Sequence, residues 1–86
     1  MDDKHFAAVV SRFEAAGLSI KVYSNQRMIN VTDGNGIIQS YYASTGTAVF
    51  RNSNDQYSSK KHTEKKMSNM RFINLCSGVE DIQQFF

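Results

Sequence analysis

The sequence predicts an α+β fold of two layers, in which a three- or four-stranded antiparallel meander sheet carries an N-terminal and a C-terminal helix on one face. A helical apolar period opens the chain, a two-residue alternation follows over several short segments, and a second helical period comes near the C-terminus. The 86 residues, 41% hydrophobic and 21% charged, suffice for one domain, residues 1–86, with a single core.

The first helix is predicted over residues 3–16. Its apolar side chains recur three and four positions apart and so form one stripe: Phe6, Val9, Val10 and Phe13. Asp2 or Asp3 is suited to cap its start, because acidic side chains there accept hydrogen bonds from free N–H groups. Gly17 supplies the stop. The helix should therefore bury one face against the rest of the domain.

Strands are predicted between residues 18 and 51, where apolar and polar side chains alternate. Turn residues divide this stretch into four segments: 18–23, 27–32, 37–42 and 47–51. The strongest local signal is Asp33-Gly34-Asn35-Gly36, because Asp-Gly and Asn-Gly supply the positive φ angles of tight hairpin turns. Short turns between neighbouring strands predict an antiparallel meander of three or four strands.

The C-terminal part begins with residues 52–66, which we interpret as a basic polar loop or as the polar start of a helix, because almost no side chain in it is apolar. A second helix is predicted over 68–76, where apolar residues return at helical spacing and Ser68 can cap the start. Residues 78–86 form a short amphipathic tail that begins with Gly78, and we expect this tail to dock back on the domain.

The positive charge of the chain is concentrated in one stretch. The net charge is only +2, yet residues 51–71 hold six Lys and Arg against two Asp and Glu and are net +4. This stretch contains two lysine pairs: Lys60 and Lys61, then Lys65 and Lys66. Such pairs can contact successive phosphates of a nucleic acid. The competing interpretation is a solvated surface that keeps a small domain soluble.

A sheet that carries its helices on one face leaves the other face free for a partner. Candidates for this bare face are Tyr23, Met28, Asn30, Tyr41 and Tyr42. Consecutive Tyr41 and Tyr42 point to opposite faces, so only one of them joins the core. An exposed tyrosine such as Tyr42, near Lys21 and Arg51, can stack on a base or a sugar. The tyrosines are equally explained as good strand formers.

No catalytic residue, cofactor or metal is predicted, and we interpret the protein as a non-enzyme. Cys76 lies in an apolar helical stripe, which is typical of a small core residue. One cysteine excludes an intramolecular disulfide, and with His5 and His62 it cannot form a Cys/His zinc motif. No apolar run approaches the length of a membrane span, and the cysteine usage fits a reducing, cytoplasmic setting.

Two segments resemble nucleic-acid-binding families. The stretch from Ser40 to Arg51, with its Ser-Thr-Gly turn and Gly-x-x-x-Phe strand, resembles the N-terminal domain of ribonuclease HIII. That domain is similar to half of a TATA-box-binding protein, so the resemblance implies an antiparallel sheet, backed by helices, that holds nucleic acid. The segment 58–66 is similar to the Ser-Lys-Lys entry of the last helix in double-stranded-RNA-binding domains, which implies phosphate contacts by three lysines: Lys60, Lys61 and Lys65.

We therefore predict a non-catalytic binding domain that contacts nucleic acid (DNA, RNA or a hybrid), or a nucleic-acid-processing complex, through its basic stretch and bare sheet face. The residues expected there are Lys21, Tyr42, Arg51, Lys60, Lys61, Lys65 and Lys66. The alternative is a protein-interaction module, of the kind with which phages and mobile elements block a host defence protein, anchored by Phe85 and Phe86. An uncovered sheet face or an unpaired edge strand would also favour a homodimer.

Overall fold

The computed structural model describes residues 1–86, which form an α+β domain with two α-helices and a five-stranded antiparallel sheet. The elements are, in chain order, α1 (Asp3–Ala15), β1 (Ser19–Tyr23), β2 (Met28–Thr32), β3 (Ile38–Tyr42), β4 (Thr47–Arg51), β5 (Lys61–Glu64), α2 (Asn69–Cys76) and a 3₁₀ helix (Ile82–Phe85). The sheet is a meander, because its strand order is the chain order. Neither α-helix has the length and apolar composition needed to cross a membrane.

Helix α1 forms where the apolar period predicts it and buries the predicted stripe, with Phe6, Val9 and Phe13 in the core. Asp2 is its N-cap: Oδ1 of Asp2 accepts a hydrogen bond from the N–H of His5 at 2.8 Å. The same bond lowers the pKa of the Asp2 carboxyl, because it favours the charged form. The start of the helix is thus fixed by a side chain that the sequence singles out.

The turn between β1 and β2 is held by Arg27, whose φ of +51° is uncommon for a residue with a side chain. Its guanidinium donates a hydrogen bond to the carbonyl oxygen of Ser24 at 3.0 Å and forms an ion pair with Asp3. The same group lies over the ring of Phe6, 5.2 Å from its centroid. Arg27 therefore fixes the first turn of α1 to the first hairpin.

The turn between β2 and β3 is the predicted Asp-Gly-Asn-Gly turn. Oδ1 of Asp33 accepts hydrogen bonds from the N–H groups of Asn35 and Ile37, at 2.9 and 3.0 Å. Its Oδ2 accepts from Nε2 of Gln39, a polar residue with no exposed surface. The Gln39 amide also bonds both the N–H and the carbonyl of Arg51, at 2.6 and 3.0 Å. A buried side chain here supplies bonds between β3 and β4.

Strand β5 lies inside residues 52–66, so the predicted loop or helix start was wrong for 61–64, and the sheet has five strands in place of three or four. Its inward positions are His62 and Glu64, both half-buried. Nε2 of His62 lies 2.7 Å from Oε1 of Glu64, and the His62 ring stacks on Phe85 at a centroid distance of 4.5 Å. Because the strand buries a polar pair, apolar alternation does not reveal it.

The core centres on four aromatic rings from the helices and the sheet: Phe13, Tyr41, Phe50 and Phe72. Phe13 and Phe72 stack with centroids 5.7 Å apart, and Tyr41 lies 5.6 and 4.8 Å from these two rings. The Tyr41 hydroxyl donates to the carbonyl oxygen of Met67 at 2.7 Å. Tyr41 is therefore the core member of the tyrosine pair, and Tyr42 is 36% exposed.

The C-terminal part agrees with the predicted helix over 68–76. Oγ of Ser68 accepts from the N–H of Arg71 at 3.2 Å and so caps α2. The following tail docks back, because Ile82 is buried and the ring of Phe85 stacks on Phe50 at 5.0 Å. This docking closes the core on the side of β4 and β5.

Candidate nucleic-acid interface

The two faces of the sheet differ in composition, and the alternation along each strand assigns residues to them. One face includes Ile29, Tyr41 and Phe50 and belongs to the hydrophobic core. The opposite face, which we call the open face, consists of Ser19, Lys21, Tyr23, Met28, Asn30, Thr32, Ile38, Ser40, Tyr42, Thr47, Val49, Arg51, Lys61 and Thr63. None of these residues belongs to the core cluster.

The open face is cationic. It carries Lys21, Arg51 and Lys61, and none of its residues is acidic. The acidic strand residue, Glu64, faces the other way, beside His62. The cations extend from β1 to β5, a width of about 19 Å at the usual strand spacing. Positive charge that no carboxylate offsets attracts polyanions.

An aromatic row crosses the open face at one end. The register places Tyr23 opposite Met28 and Met28 opposite Tyr42, so the Cα atoms of the two tyrosines are separated by two strand spacings, about 10 Å. Nζ of Lys21 lies 5.4 Å from the centroid of the Tyr23 ring. The row combines accessible ring surface at Tyr42 with a neighbouring cation at Tyr23.

The guanidinium of Arg51 is held in place at the other end of the open face. Its Nη1 donates to the carbonyl oxygen of Ile38 at 3.2 Å and to Oγ of Ser40 at 3.0 Å. Oγ of Ser40 in turn donates to Oδ1 of Asn30 at 2.7 Å. No intramolecular hydrogen bond uses Nη2 of Arg51, so this nitrogen is available to an acceptor on a ligand.

The basic segment, which we define as residues 60–66, contains the edge strand β5. Its four lysines are all exposed: Lys60, Lys61, Lys65 and Lys66. The register pairs Lys61 with Arg51, so these two predicted site residues lie together on the open face. Lys21 lies on the other edge strand, β1, and Lys66 has a φ of +56° in the turn that leads to α2. Arg51, Lys60 and Lys61 therefore lie together at one end of the sheet, whereas Lys65 and Lys66 follow β5 at the other end, near Gly46, and Lys21 lies on the far edge strand.

The two C-terminal phenylalanines, predicted as a partner anchor in the alternative hypothesis, differ from each other. Phe85 is half-buried and packs between Phe50 and His62, with Arg71 5.9 Å from its ring centroid. Phe86 is 40% exposed. A partner that uses Phe85 must therefore displace it from these contacts.

The cysteine, histidine and acidic side chains all lie away from the open face. Cys76 is buried, and burial together with the charge of Asp33 raises the pKa of its thiol to about 12. The thiol is therefore protonated at neutral pH, which makes it a poor nucleophile. No group of three or more His, Cys, Asp or Glu side chains is arranged to hold a metal ion.

Tyr57 was not singled out by the sequence, yet at 90% exposure it is the most exposed large hydrophobic side chain of the domain. It lies in the loop between β4 and β5, three residues before Lys60. The sequence pattern does not predict that Tyr57 is exposed, because a single aromatic residue in a polar loop forms no periodic pattern. An aromatic residue close to a lysine pair is the only signal that could have marked it.

Comparison of the chain with protein-family models, with curated proteins and with solved structures found no significant match. The resemblances to ribonuclease HIII and to double-stranded-RNA-binding domains therefore stay predictions. A function has to be inferred from the charge, exposure and contacts of the residues described above.

Proposed function

We propose that this domain binds nucleic acid through the open face and the basic segment, without catalysing a reaction, in a reducing, cytoplasmic setting. Phe13 of α1 and Phe72 of α2 both contact Tyr41, and we infer that the two helices cover the same sheet face and leave the open face to a ligand. The observation that carries the proposal is a single surface with three cations, an exposed tyrosine and no carboxylate.

Phosphate charge explains why a nucleic acid suits this surface. Lys61 and Arg51 lie opposite each other and can contact neighbouring phosphates, and Lys60 extends the positive charge toward the loop. Contacts of this kind release condensed counterions, so the affinity is expected to fall steeply with salt. Lysine contacts position the ligand, whereas Arg51 and Tyr42 can also contact sugar or base.

The proposal is tested by fluorescence anisotropy of labelled single-stranded DNA, double-stranded RNA and an RNA–DNA hybrid, at about 50 and about 200 mM salt. The test variant is Lys60→Gln with Lys61→Gln. The control is Lys4→Gln with Arg12→Gln on exposed positions of α1, which removes the same charge away from the sheet. Lys66 is left unchanged because its positive φ makes a substitution there a test of folding as well.

We expect micromolar binding at the lower salt concentration. The test variant should reduce the slope of log affinity against log salt by about 1.4–1.8, since each phosphate contact contributes about 0.7 on a single strand and 0.9 on a duplex. The control variant should bind within about twofold of the wild type. Equal losses in both variants, or no binding of any nucleic acid at low salt, would overturn the proposal in favour of a protein partner.

A further inference from the structure

The loop between β4 and β5 presents Tyr57 in a fixed turn. Oδ1 of Asp55 accepts from the N–H of Tyr57 at 2.9 Å, and the carbonyl oxygen of Asp55 accepts from the N–H of Ser59 at 2.8 Å. The first of these bonds is the main reason why the pKa of the Asp55 carboxyl is lowered. Because the backbone of this turn is already ordered, binding of a ligand to the side chain costs little further backbone entropy.

The same loop is anchored to one end of the open face. Oδ1 of Asn54 accepts from the N–H of Ile38 at 3.0 Å, and its Nδ2 donates to the carbonyl oxygen of Gly36 at 2.7 Å. The N–H of Lys60 donates to Oδ1 of Asn52 at 2.8 Å, which closes the base of the loop. These bonds keep the loop beside the end of β3 at which Arg51 binds the carbonyl of Ile38.

Two exposed tyrosines therefore belong to opposite ends of β3, one on the strand and one in the loop bonded to it. Tyr42 lies at the far end of β3 from Ile38, about 14 Å away along the strand. Tyr57 belongs to the loop that is bonded to the Ile38 end. The fixed guanidinium of Arg51 lies at the Ile38 end as well. Sheets of similar width stack two or three unpaired bases on aromatic side chains.

Building on the proposed function, we infer that the ligand is a single-stranded nucleic acid whose bases stack on Tyr42 and Tyr57, with Arg51 and the lysines on its phosphates. In a duplex the base faces are covered by neighbouring pairs, and the edges are reached by a helix or ribbon that enters a groove. Both α-helices contact the core face of the sheet, through Phe13 and Phe72 at Tyr41. Exposed rings on a sheet surface can stack directly on unpaired bases.

The test compares three probes of equal length, about 15 nucleotides, at low salt: oligo-dT, a DNA duplex, and an abasic deoxyribose-phosphate strand that keeps the phosphates and lacks the bases. The protein variants are Tyr57→Ala and Tyr57→Phe. Met70→Ala is the control, because Met70 is 64% exposed on α2, away from the open face. A thermal melt of each variant confirms that it is folded.

We expect oligo-dT to bind more tightly than the duplex and the abasic strand. Tyr57→Ala should weaken oligo-dT binding about 5- to 150-fold, the loss of stacking on one base, and should leave abasic binding unchanged. Tyr57→Phe should keep the wild-type affinity for oligo-dT. Met70→Ala should change neither oligo-dT binding nor abasic-strand binding. Equal binding of abasic strand and oligo-dT, or tighter binding of the duplex, would overturn the single-strand inference and leave the proposed function standing. Failure of all three probes to bind would also overturn the single-strand inference, while the double-stranded RNA and the hybrid of the first assay would still decide the proposed function.

Discussion

The two faces of the sheet are formed by alternate residues of the same strands, yet their side chains have opposite surroundings. On the core face, aromatic side chains contact one another, as Tyr41 contacts Phe13 and Phe72. On the open face, Tyr23 and Tyr42 are set apart by a whole strand and lie among cations and hydroxyl groups. Alternation along a strand separates these two environments residue by residue, so Tyr41 and Tyr42, adjacent in sequence, belong to different surfaces.

The difference between the faces separates the residues that contribute to the free energy of folding from those available for ligand binding. Burial of rings on the core face stabilises the fold, and a change there is read in unfolding experiments. Apart from the buried Ser40, the side chains of the open face keep contact with water, and substitutions at such positions change stability little. We therefore expect substitutions on the two faces to separate stability from binding.

The largest expected effect is the loss of a ring from the core face. Phe72 has no exposed surface and contacts Phe13, Tyr41 and Phe50. Phe72→Ala should lower the free energy of unfolding by about 3–5 kcal/mol, because it removes this burial and leaves a cavity. The matched variant Tyr42→Ala should cost less than about 1 kcal/mol in the same urea titration. Similar costs for the two variants would contradict the assignment of the faces.

A second test concerns the point at which the chain after β5 passes close to the β3–β4 hairpin. Gly46 has a φ of +70°, and a Cβ built there lies 2.9 Å from the carbonyl oxygen of Met67. Gly46→Ala should cost about 2–5 kcal/mol, the sum of left-handed strain and displacement of Met67. Gly36→Ala is the control, because its φ is +78° with no atom nearby, so it should cost only about 1–2 kcal/mol. If thermal melts show equal losses of stability for Gly46→Ala and Gly36→Ala, Met67 does not pack tightly against Gly46.

The smallest expected effect is a pH dependence of stability that arises from the thiol of Cys76 in the core. The thiol of Cys76 has a pKa of about 12 in the folded protein against an ordinary value of 9.0. Between these values the unfolded state binds fewer protons, so stability is complete below pH 9 and falls as the pH rises, by at most about 1.4 kcal/mol per pH unit. Urea titrations at about pH 8 and pH 10.5 should show a smaller fall for Cys76→Ala.

The comparison with Cys76→Ala isolates the thiol from other groups that titrate in alkali. Burial also raises the pKa of Tyr41, which adds a fall of the same sign above pH 10 in both proteins. An identical pH dependence of wild type and Cys76→Ala would show that the thiol is accessible to solvent in the folded protein.

The sequence predicted the parts of the fold that depend on local pattern. The stripe of α1, the Asp33 turn and the Ser68 cap are each set by residues within a few positions of one another, and each prediction was confirmed. β5 was missed because its inward residues, His62 and Glu64, are polar and only half-buried, and are held by a contact with each other and by the stacking of His62 on distant Phe85. Contacts between residues far apart in the sequence produce no periodic pattern of apolar residues.

The candidate site was predictable to a similar degree. Lys61 and Arg51 were singled out by type, but their position opposite each other depends on the β4–β5 register, which the loop prediction did not contain. Gln39 is fully buried because Asp33 and the backbone of Arg51 satisfy its amide, and composition alone places glutamine outside. Exposure of Tyr57 depends on the Asp55 turn in the same way.

During synthesis, the strands emerge from the ribosome in the same order in which they lie in the sheet. Each strand pairs with the strand just made, so every hairpin can close soon after its residues emerge. Phe72 comes late, and until it emerges the rings of Phe13, Tyr41 and Phe50 have no helix α2 to cover them. The nascent sheet therefore passes through a stage with an exposed aromatic surface that invites association between chains or capture by a chaperone. That stage ends when α2 and the following tail, with Ile82 and Phe85, have emerged and packed on these rings.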